Sequence, residues 1–242
     1  MTNITTQNGQ IRYARLAGFM YLFVIVTYVM NDYITSHLEV PGNFLATAHS
    51  IAGAELLYRI GLSSSFISSL CTVFLAMGLY GAIKPVNNTL ALFALLFRLI
   101  EAALGGMMSI VNFTILKLYL GAGYISAFNA NQLMAFINLQ SEGYSAAVNI
   151  GGIFFSMGSV LFFYLFYKGK YIPVFLSGFG VASSVLITIV CFTKLILPQF
   201  AEIADYGWLP MTIAEIMVGI WLLFKGVKVP LPEVESRVSP AP

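Results

Sequence analysis

Long apolar runs separated by short polar stretches dominate the chain. A helix needs about 20 mostly apolar residues to cross the ~30 Å hydrocarbon layer of a bilayer. Six runs approach or exceed this length, and they are continuous rather than alternating at every second residue, which favours helices over the strands of a membrane barrel. They run Ala14–Met30, Leu57–Ile83, Leu90–Leu118, Ala146–Tyr167, Ile172–Leu197 and Trp208–Phe224. The pattern therefore predicts an all-α polytopic bundle of six transmembrane helices.

The polar connections between these spans are of unequal length. Two of them, on the side we call outer, are much longer than the rest. The first contains a turn signal at Val40-Pro41-Gly42 and then a predicted helical stretch, Phe44–Tyr58. The second covers Ala127–Gln140, and four of its residues share one helical face, as in an interfacial helix. These four are Leu133, Phe136, Ile137 and Gln140. We therefore expect interfacial helices in the long outer loops.

The end of the chain differs in composition from the rest. The segment after Lys228 is rich in proline, which is typical of a segment without a packed core. We predict a single transmembrane domain over residues 1–230 and a flexible, proline-rich cytoplasmic tail over residues 231–242.

The composition supports a membrane protein. Hydrophobic residues make up 59% of the 242 residues, charged residues make up 9%, and the mean hydropathy is +0.85. Since about 25% of a typical soluble domain is charged, a water-soluble enzyme is excluded, and so is a disordered chain. A net charge of +2 is too small to suggest a nucleic-acid partner. The expected partner is the lipid bilayer.

Basic residues predict the orientation, because Lys and Arg accumulate on the cytoplasmic side of membrane proteins. With the N-terminus inside, eight fall inside: Arg12, Arg15, Lys84, Lys168, Lys170, Lys225, Lys228 and Arg237. Three fall outside: Arg59, Lys117 and Lys194. Six acidic residues also fall outside: Asp32, Glu39, Glu55, Glu142, Glu202 and Asp205. We expect both termini to be cytoplasmic. Six spans agree with this, because an even number places the two termini on the same side of the membrane.

Three ionisable residues, Arg98, Glu101 and Glu215, fall inside predicted spans, where a charge is costly and is a functional-site hypothesis by default. Arg98 and Glu101 are three residues apart and share one face of span three. That face continues through Gly105, Met108 and Asn112. The rise of a helix places Glu101 and Glu215 at similar depths, about 20 Å from the inner surface. Two carboxylates and one guanidinium would then meet and could bind a cation, exchange a proton or hold a polar headgroup.

The candidate ligand-binding residues are accordingly Arg59, Arg98, Glu101, Asn112, Asn149 and Glu215. A structural alternative stays open: Arg98 and Glu215 could form a packing clamp between spans three and six, since buried ion pairs can fix the register of packed helices. Small and polar residues also line one face each of spans four and five, which favours close helix packing.

Several short strings of this chain occur together in one protein family. They are Ala14–Phe19, Val40–Asn43, Ala46–Ala48, Glu55–Gly61, Lys84–Asn87, Phe97–Ala102, Ala214–Glu215 and Trp221–Val227. In this order the chain resembles a bacterial family of multi-pass membrane proteins known as domain of unknown function 4386. It departs from the family pattern at Val174, where that pattern has a basic residue. The resemblance implies a protein of the bacterial cytoplasmic membrane and carries no activity with it.

The function that we expect is binding or translocation of a small or lipid-like molecule at the intramembrane polar site. A membrane-embedded, lipid-modifying enzyme is one alternative, with Glu101 or Glu215 as general acid or base. A structural or stress-related protein, whose buried charges only clamp helices, is another. We assign no catalytic residue, cofactor or metal, and the spacing of His37 and His49 fits no metal-site pattern.

Overall fold

The computed structural model describes residues 2–121 and 127–228, and every regular element in these two ranges is helical. The predicted tail over residues 231–242 lies outside the described residues. The eight α-helices are α1 (Thr2–Leu38), α2 (Phe44–Gly53), α3 (Glu55–Ile83), α4 (Asn88–Tyr119), α5 (Ala130–Gly169), α6 (Val174–Ile196), α7 (Ala201–Asp205) and α8 (Trp208–Phe224). A short 3₁₀ turn, Pro198–Phe200, precedes α7.

Six helical segments are long and apolar enough to cross a membrane, which confirms the predicted number of spans. They correspond to α1, α3, α4, α5, α6 and α8, the last together with the short helices before it. The chain is an integral membrane protein with an all-helical fold.

Two helices extend well beyond the apolar runs that predicted them. α1 begins twelve residues before Ala14 and continues eight residues past Met30, because no proline interrupts these polar flanks. We expected the stretch Ala127–Gln140 to form a separate interfacial helix. In the structure, most of it is instead the first part of α5. Of the five residues between Gln140 and the predicted start of span four at Ala146, Gly143 is the only glycine or proline, and one glycine is not enough to end a helix. An interfacial helix is present in the first long loop as α2.

The helix boundaries follow local sequence signals. Asn43, Asn87 and Asn129 cap α2, α4 and α5, each accepting a hydrogen bond from the backbone three residues on. Before α2, Gly42 has a φ of +73° and the Asn43 amide donates to the Val40 carbonyl at 3.1 Å. This is the turn that Pro41 and Gly42 predict.

The six spans form a closed ring in chain order. α1 packs against α3, α3 against α4, α4 against α5 and α5 against α6. α6 then packs against α8, and α8 closes the ring against α1. Residues that point to the middle of this ring come from all six spans, so side chains far apart in the sequence can meet there.

The two ends of the ring are built differently. On the side where α1 begins and α8 ends, which we call the termini side, Gln10 donates to the Ala82 carbonyl at 3.0 Å and to the Tyr171 hydroxyl at 3.2 Å. The large apolar core extends from this side and includes Ala82, Ile83 and Phe166. The opposite, loop side carries α2, α7 and the start of α5, and its core clusters are small.

Candidate functional site

Arg98 lies about a third of the way along α4, with only 2% of its surface exposed. Its Nη1 atom lies 3.0 Å from Oε2 of Glu101, one turn further along the same helix. The contact is an ion pair without the angles of a hydrogen bond. The three-residue spacing that placed both residues on one helix face therefore does bring their charges together.

The rest of the Arg98 side chain is enclosed by α5. The guanidinium lies over the ring of Phe155, 4.7 Å from its centroid, and this ring in turn contacts Trp208 of α8 at 5.9 Å. Gly158, one turn below Phe155, leaves room for the aliphatic stem, since a methyl group there would lie 3.0 Å from Arg98 Cγ. Cation–π contact and close packing thus fix the guanidinium against an aromatic wall.

Glu215 and Tyr21 reach the same region from the other side of the ring. Both lie close enough to Arg98 and Glu101 for the charges to interact. Tyr21 belongs to α1, is 2% exposed and packs at its base against Gly219, one turn below Glu215 on α8. We call Tyr21, Arg98, Glu101 and Glu215 the buried polar cluster.

Helical geometry gives the depth of this cluster. Arg98 comes ten residues after the first residue of α4, and Glu215 comes nine residues before the last residue of α8. At 1.5 Å per residue, both lie about 15 Å from the termini-side ends of their helices. The two side chains therefore occupy one layer of the membrane, although α4 and α8 are not neighbours in the ring.

Several polar atoms in this layer lack a partner. Within the described ranges, Nε of Arg98 and Oε1 of Glu215 are buried without a hydrogen bond. Two buried serine hydroxyls on other spans, Ser159 on α5 and Ser183 on α6, are also unpaired. Buried polar groups nearly always find a partner, because leaving one unpaired costs about 1–3 kcal/mol. Such a concentration is typical of a place that holds water or a ligand.

The structure does not bring all the predicted site residues together. Arg59 lies in the first turn of α3, on the loop side, where it is exposed and pairs with Glu55 at 2.7 Å. From the helical rise, it is about 20 Å from the level of Arg98. The sequence predicted Arg59 on the outer side and also among the site residues, and the structure places it on the loop side, away from the cluster.

The two asparagines lie between the cluster and the loop side. Asn112 is half-buried on α4, beside the Tyr144 side chain of α5. Asn149 is 3% exposed on α5, and its Nδ2 donates to the Ser145 carbonyl at 2.8 Å. Its Oδ1 is buried and has no partner among the residues described. Both therefore lie above the cluster rather than within it.

Three residues of the site were not predicted from the sequence. Tyr21, Phe155 and Gly158 are ordinary residues of apolar spans, and their position became apparent only from the ring order. The one available signal was that Tyr21 continues a face of small residues, Ala14, Ala17 and Gly18, which indicates close packing by another helix.

The small and polar faces of spans four and five meet each other, as the packing interpretation predicts. Thr188 of α6 donates to the hydroxyl of Ser156 on α5 at 2.8 Å. Gly180 of α6 lies against the ring of Phe163.

In residues 2–121 and 127–228, no three His, Cys, Asp or Glu side chains are arranged so that they could hold a metal ion.

The charges of the cluster define what it can do chemically. One guanidinium faces two carboxylates, and Arg98 is already paired with Glu101. The direct Arg98–Glu215 pair of the clamp hypothesis is not among the ion pairs of the described residues. Glu215 is therefore available to a proton, a cation or a hydrogen-bond donor from outside the protein.

The sequence matches one family model. The family is described as a domain of unknown function (DUF4386), and the match covers residues 16–226. No curated protein and no solved structure is significantly similar to the chain.

Proposed function

We propose that this chain, which belongs to the DUF4386 family, binds or translocates a small or lipid-like molecule at the buried polar cluster. The observation that carries the proposal is the unpaired state of that cluster: of the residues described, Arg98 and Glu215 each have a buried polar atom without a hydrogen-bond partner. Ionisable side chains inside a membrane are costly and mark binding sites or pathways by default.

The uneven packing of the ring supports a route to the cluster from the loop side. Towards the termini side, the large apolar core closes the ring. Towards the loop side, the Glu101 face of α4 continues through Gly105, Met108 and Asn112, all of them only partly buried. The Glu101 side chain itself is 22% exposed. At Gly105 this face packs against Ser69 of α3. We propose that a polar molecule approaches Glu101 along the partly exposed remainder of the face.

Cysteine labelling tests whether this face is open to water. In a variant whose native Cys71 and Cys191 are replaced by Ala, Met108→Cys and Asn112→Cys should react with a membrane-impermeant, positively charged methanethiosulfonate reagent. Ile110→Cys is the matched control, because Ile110 lies on the same helix but is 69% exposed on its opposite, lipid-facing side. The reagent enters water-filled space and not the acyl chains.

We expect rapid labelling at positions 108 and 112 and none at 110. Labelling of neither position 108 nor 112 would contradict the proposed route and would favour the clamp. Equal labelling at all three positions would also contradict it, since it would show a loosely folded helix.

The location and orientation are part of the same proposal. We propose a bacterial cytoplasmic membrane, with the termini side facing the cytoplasm. The distribution of basic residues supports this: seven Lys or Arg of the described ranges lie on the termini side and three on the loop side.

A further inference from the structure

We infer that the molecule bound at the buried polar cluster carries a single positive charge, as an ammonium group on an otherwise apolar body. This inference rests on the proposed binding function and names its ligand class.

The fixed charges of the buried polar cluster do not balance each other. Arg98 lies 3.0 Å from Glu101, so its positive charge is committed to that carboxylate. Glu215 then has no fixed cation to neutralise it, and its Oε1 is buried with no partner in the described part of the chain. Among the described residues, the charged and titratable groups near Glu215 are Arg98, Glu101 and Tyr21. An anionic ligand would meet two carboxylates, and a neutral one would leave Glu215 to be neutralised by a proton. A monovalent cation balances the site.

Aromatic side chains near the cluster also favour an organic cation. Phe155 lies on the Arg98 guanidinium and contacts Trp208, and Tyr21 is buried on α1 next to the Glu215 face of α8. Aromatic faces attract organic cations, and the guanidinium of Arg98 already lies on one of them, 4.7 Å from the Phe155 centroid. The walls therefore suit a cation whose body is apolar, with the charge directed to Glu215.

Two sources could present this group: a free amphipathic amine or the headgroup of an aminolipid. Both carry an ammonium group that donates to a carboxylate, and the experiment must separate them.

The test compares three probes of the same shape on the full chain in an uncharged detergent. 2-Phenylethylammonium, 3-phenylpropanoate and 2-phenylethanol differ mainly in the charge at one end. We expect only the ammonium probe to raise the unfolding temperature of the wild type, in a saturable way, because a ligand of the folded state stabilises it. Phosphatidylethanolamine added to the micelles, with phosphatidylcholine as its control, tests the lipid source.

Two variants locate the effect. Glu215→Gln should weaken binding of the ammonium probe about 30-fold or more, as loss of one partner of a buried charge pair does. Glu202→Gln is the control, since Glu202 is an exposed carboxylate on α7, away from the cluster. If Glu215→Gln does not fold, the comparison of the three probes on the wild type still decides the ligand class.

The outcomes separate this inference from the proposed function. Stabilisation by the propanoate or the alcohol instead of the ammonium would overturn the ligand class and leave the binding site standing. Stabilisation by phosphatidylethanolamine alone would assign the ammonium group to a lipid. No response to any ammonium source would overturn the inference, while cysteine labelling along α4 would still judge the binding site independently.

Discussion

At the scale of single residues, Arg98 is held firmly and yet incompletely satisfied. Gly158 makes room for its stem, Phe155 supports its guanidinium, and Glu101 neutralises its charge. In the described ranges its Nε still has no acceptor. An arginine needed only for packing would be better replaced by an apolar side chain, because buried ion pairs add little or nothing to stability over apolar residues of similar size.

Single and combined substitutions of the buried charges should therefore have opposite effects on stability. Arg98→Met alone should destabilise the protein by about 3–5 kcal/mol, because it leaves buried carboxylates without a cation. Arg98→Met combined with Glu101→Gln and Glu215→Gln should return stability to the wild-type value or above. Thermal unfolding in detergent measures both, with Glu55→Gln as an exposed control. A triple variant as unstable as the single one would show that the charges clamp the helices.

The sequence could predict the part of this site that depends on spacing along one helix. Arg98 and Glu101 lie one turn apart on any helix, so their shared face followed from the sequence, while the choice of Glu101 over Glu215 as the partner of Arg98 did not. Phe155 and Tyr21 could not be predicted, because an apolar span has many such residues and only the neighbouring helices decide which of them face the centre. Arg59 was a candidate for the site although the sequence placed it on the outer side, and its pairing with Glu55 on the loop side separates it from the cluster.

At the scale of helices, close contacts between small residues close the ring. Gly18 of α1 packs directly on the backbone of α8, where a methyl group would lie 2.7 Å from the Gly219 carbonyl oxygen. Gly78 of α3 likewise lies against the backbone of α1 near Ala17. Small residues allow helices in a membrane to approach this closely, so these positions fix α1 between α3 and α8.

Gly18→Ala should therefore weaken the closing contact between α1 and α8. The added methyl group would meet backbone atoms rather than flexible side chains, so we expect a loss of about 1–3 kcal/mol in the free energy of unfolding. Gly178→Ala is the matched control, because a methyl group at this helical position of α6 meets nothing within 4 Å. Unfolding midpoints in detergent should fall for the first variant and stay unchanged or rise for the second. A similar fall in both would contradict the packing explanation, because alanine favours a helix over glycine and Gly178 has free space around it.

The helix boundaries show what hydropathy can and cannot predict. The six spans were identifiable because a bilayer requires long apolar runs. The true lengths of α1 and α5 were not, because the polar extensions continue the backbone hydrogen bonding of the helix without adding to the apolar pattern. The order of helices around the ring was also beyond the sequence, since every span is apolar on most of its surface.

At the scale of the whole molecule, the two sides of the ring differ in charge. On the loop side, two of the three basic residues, Arg59 and Lys194, are paired with Glu55 and Asp205 at 2.7 and 2.6 Å. The ion pairs of the described ranges include none on the termini side, where Arg12, Arg15 and Lys84 are exposed. Most of the unpaired basic residues of the described ranges therefore lie on the termini side, which we propose to be cytoplasmic, and Lys117 is the exception on the loop side.

Reporter fusions in a bacterial host check this orientation. Green fluorescent protein joined after the last residue should fluoresce, because it matures in the cytoplasm. Alkaline phosphatase joined after Asp205, on the loop side, should be active, because it folds only outside the cytoplasm. The exchanged pair of fusions should both be silent, and the reverse pattern of signals would show that the termini face outward.

The closed ring has a consequence for the order in which the protein can mature. The first and last spans are neighbours, although the whole domain separates them in the sequence. While ribosomes are still translating the chain, five inserted helices can form only an open horseshoe, with the Gly18 face of α1 and the phenol of Tyr21 turned towards lipid or an insertion factor. Arrival of α8 delivers both the Gly219 surface that seals the gap and the carboxylate of Glu215. The insertion of α8 thus closes the ring and completes the polar cluster in one step. A chain that stops before α8 would have neither a closed ring nor a complete site.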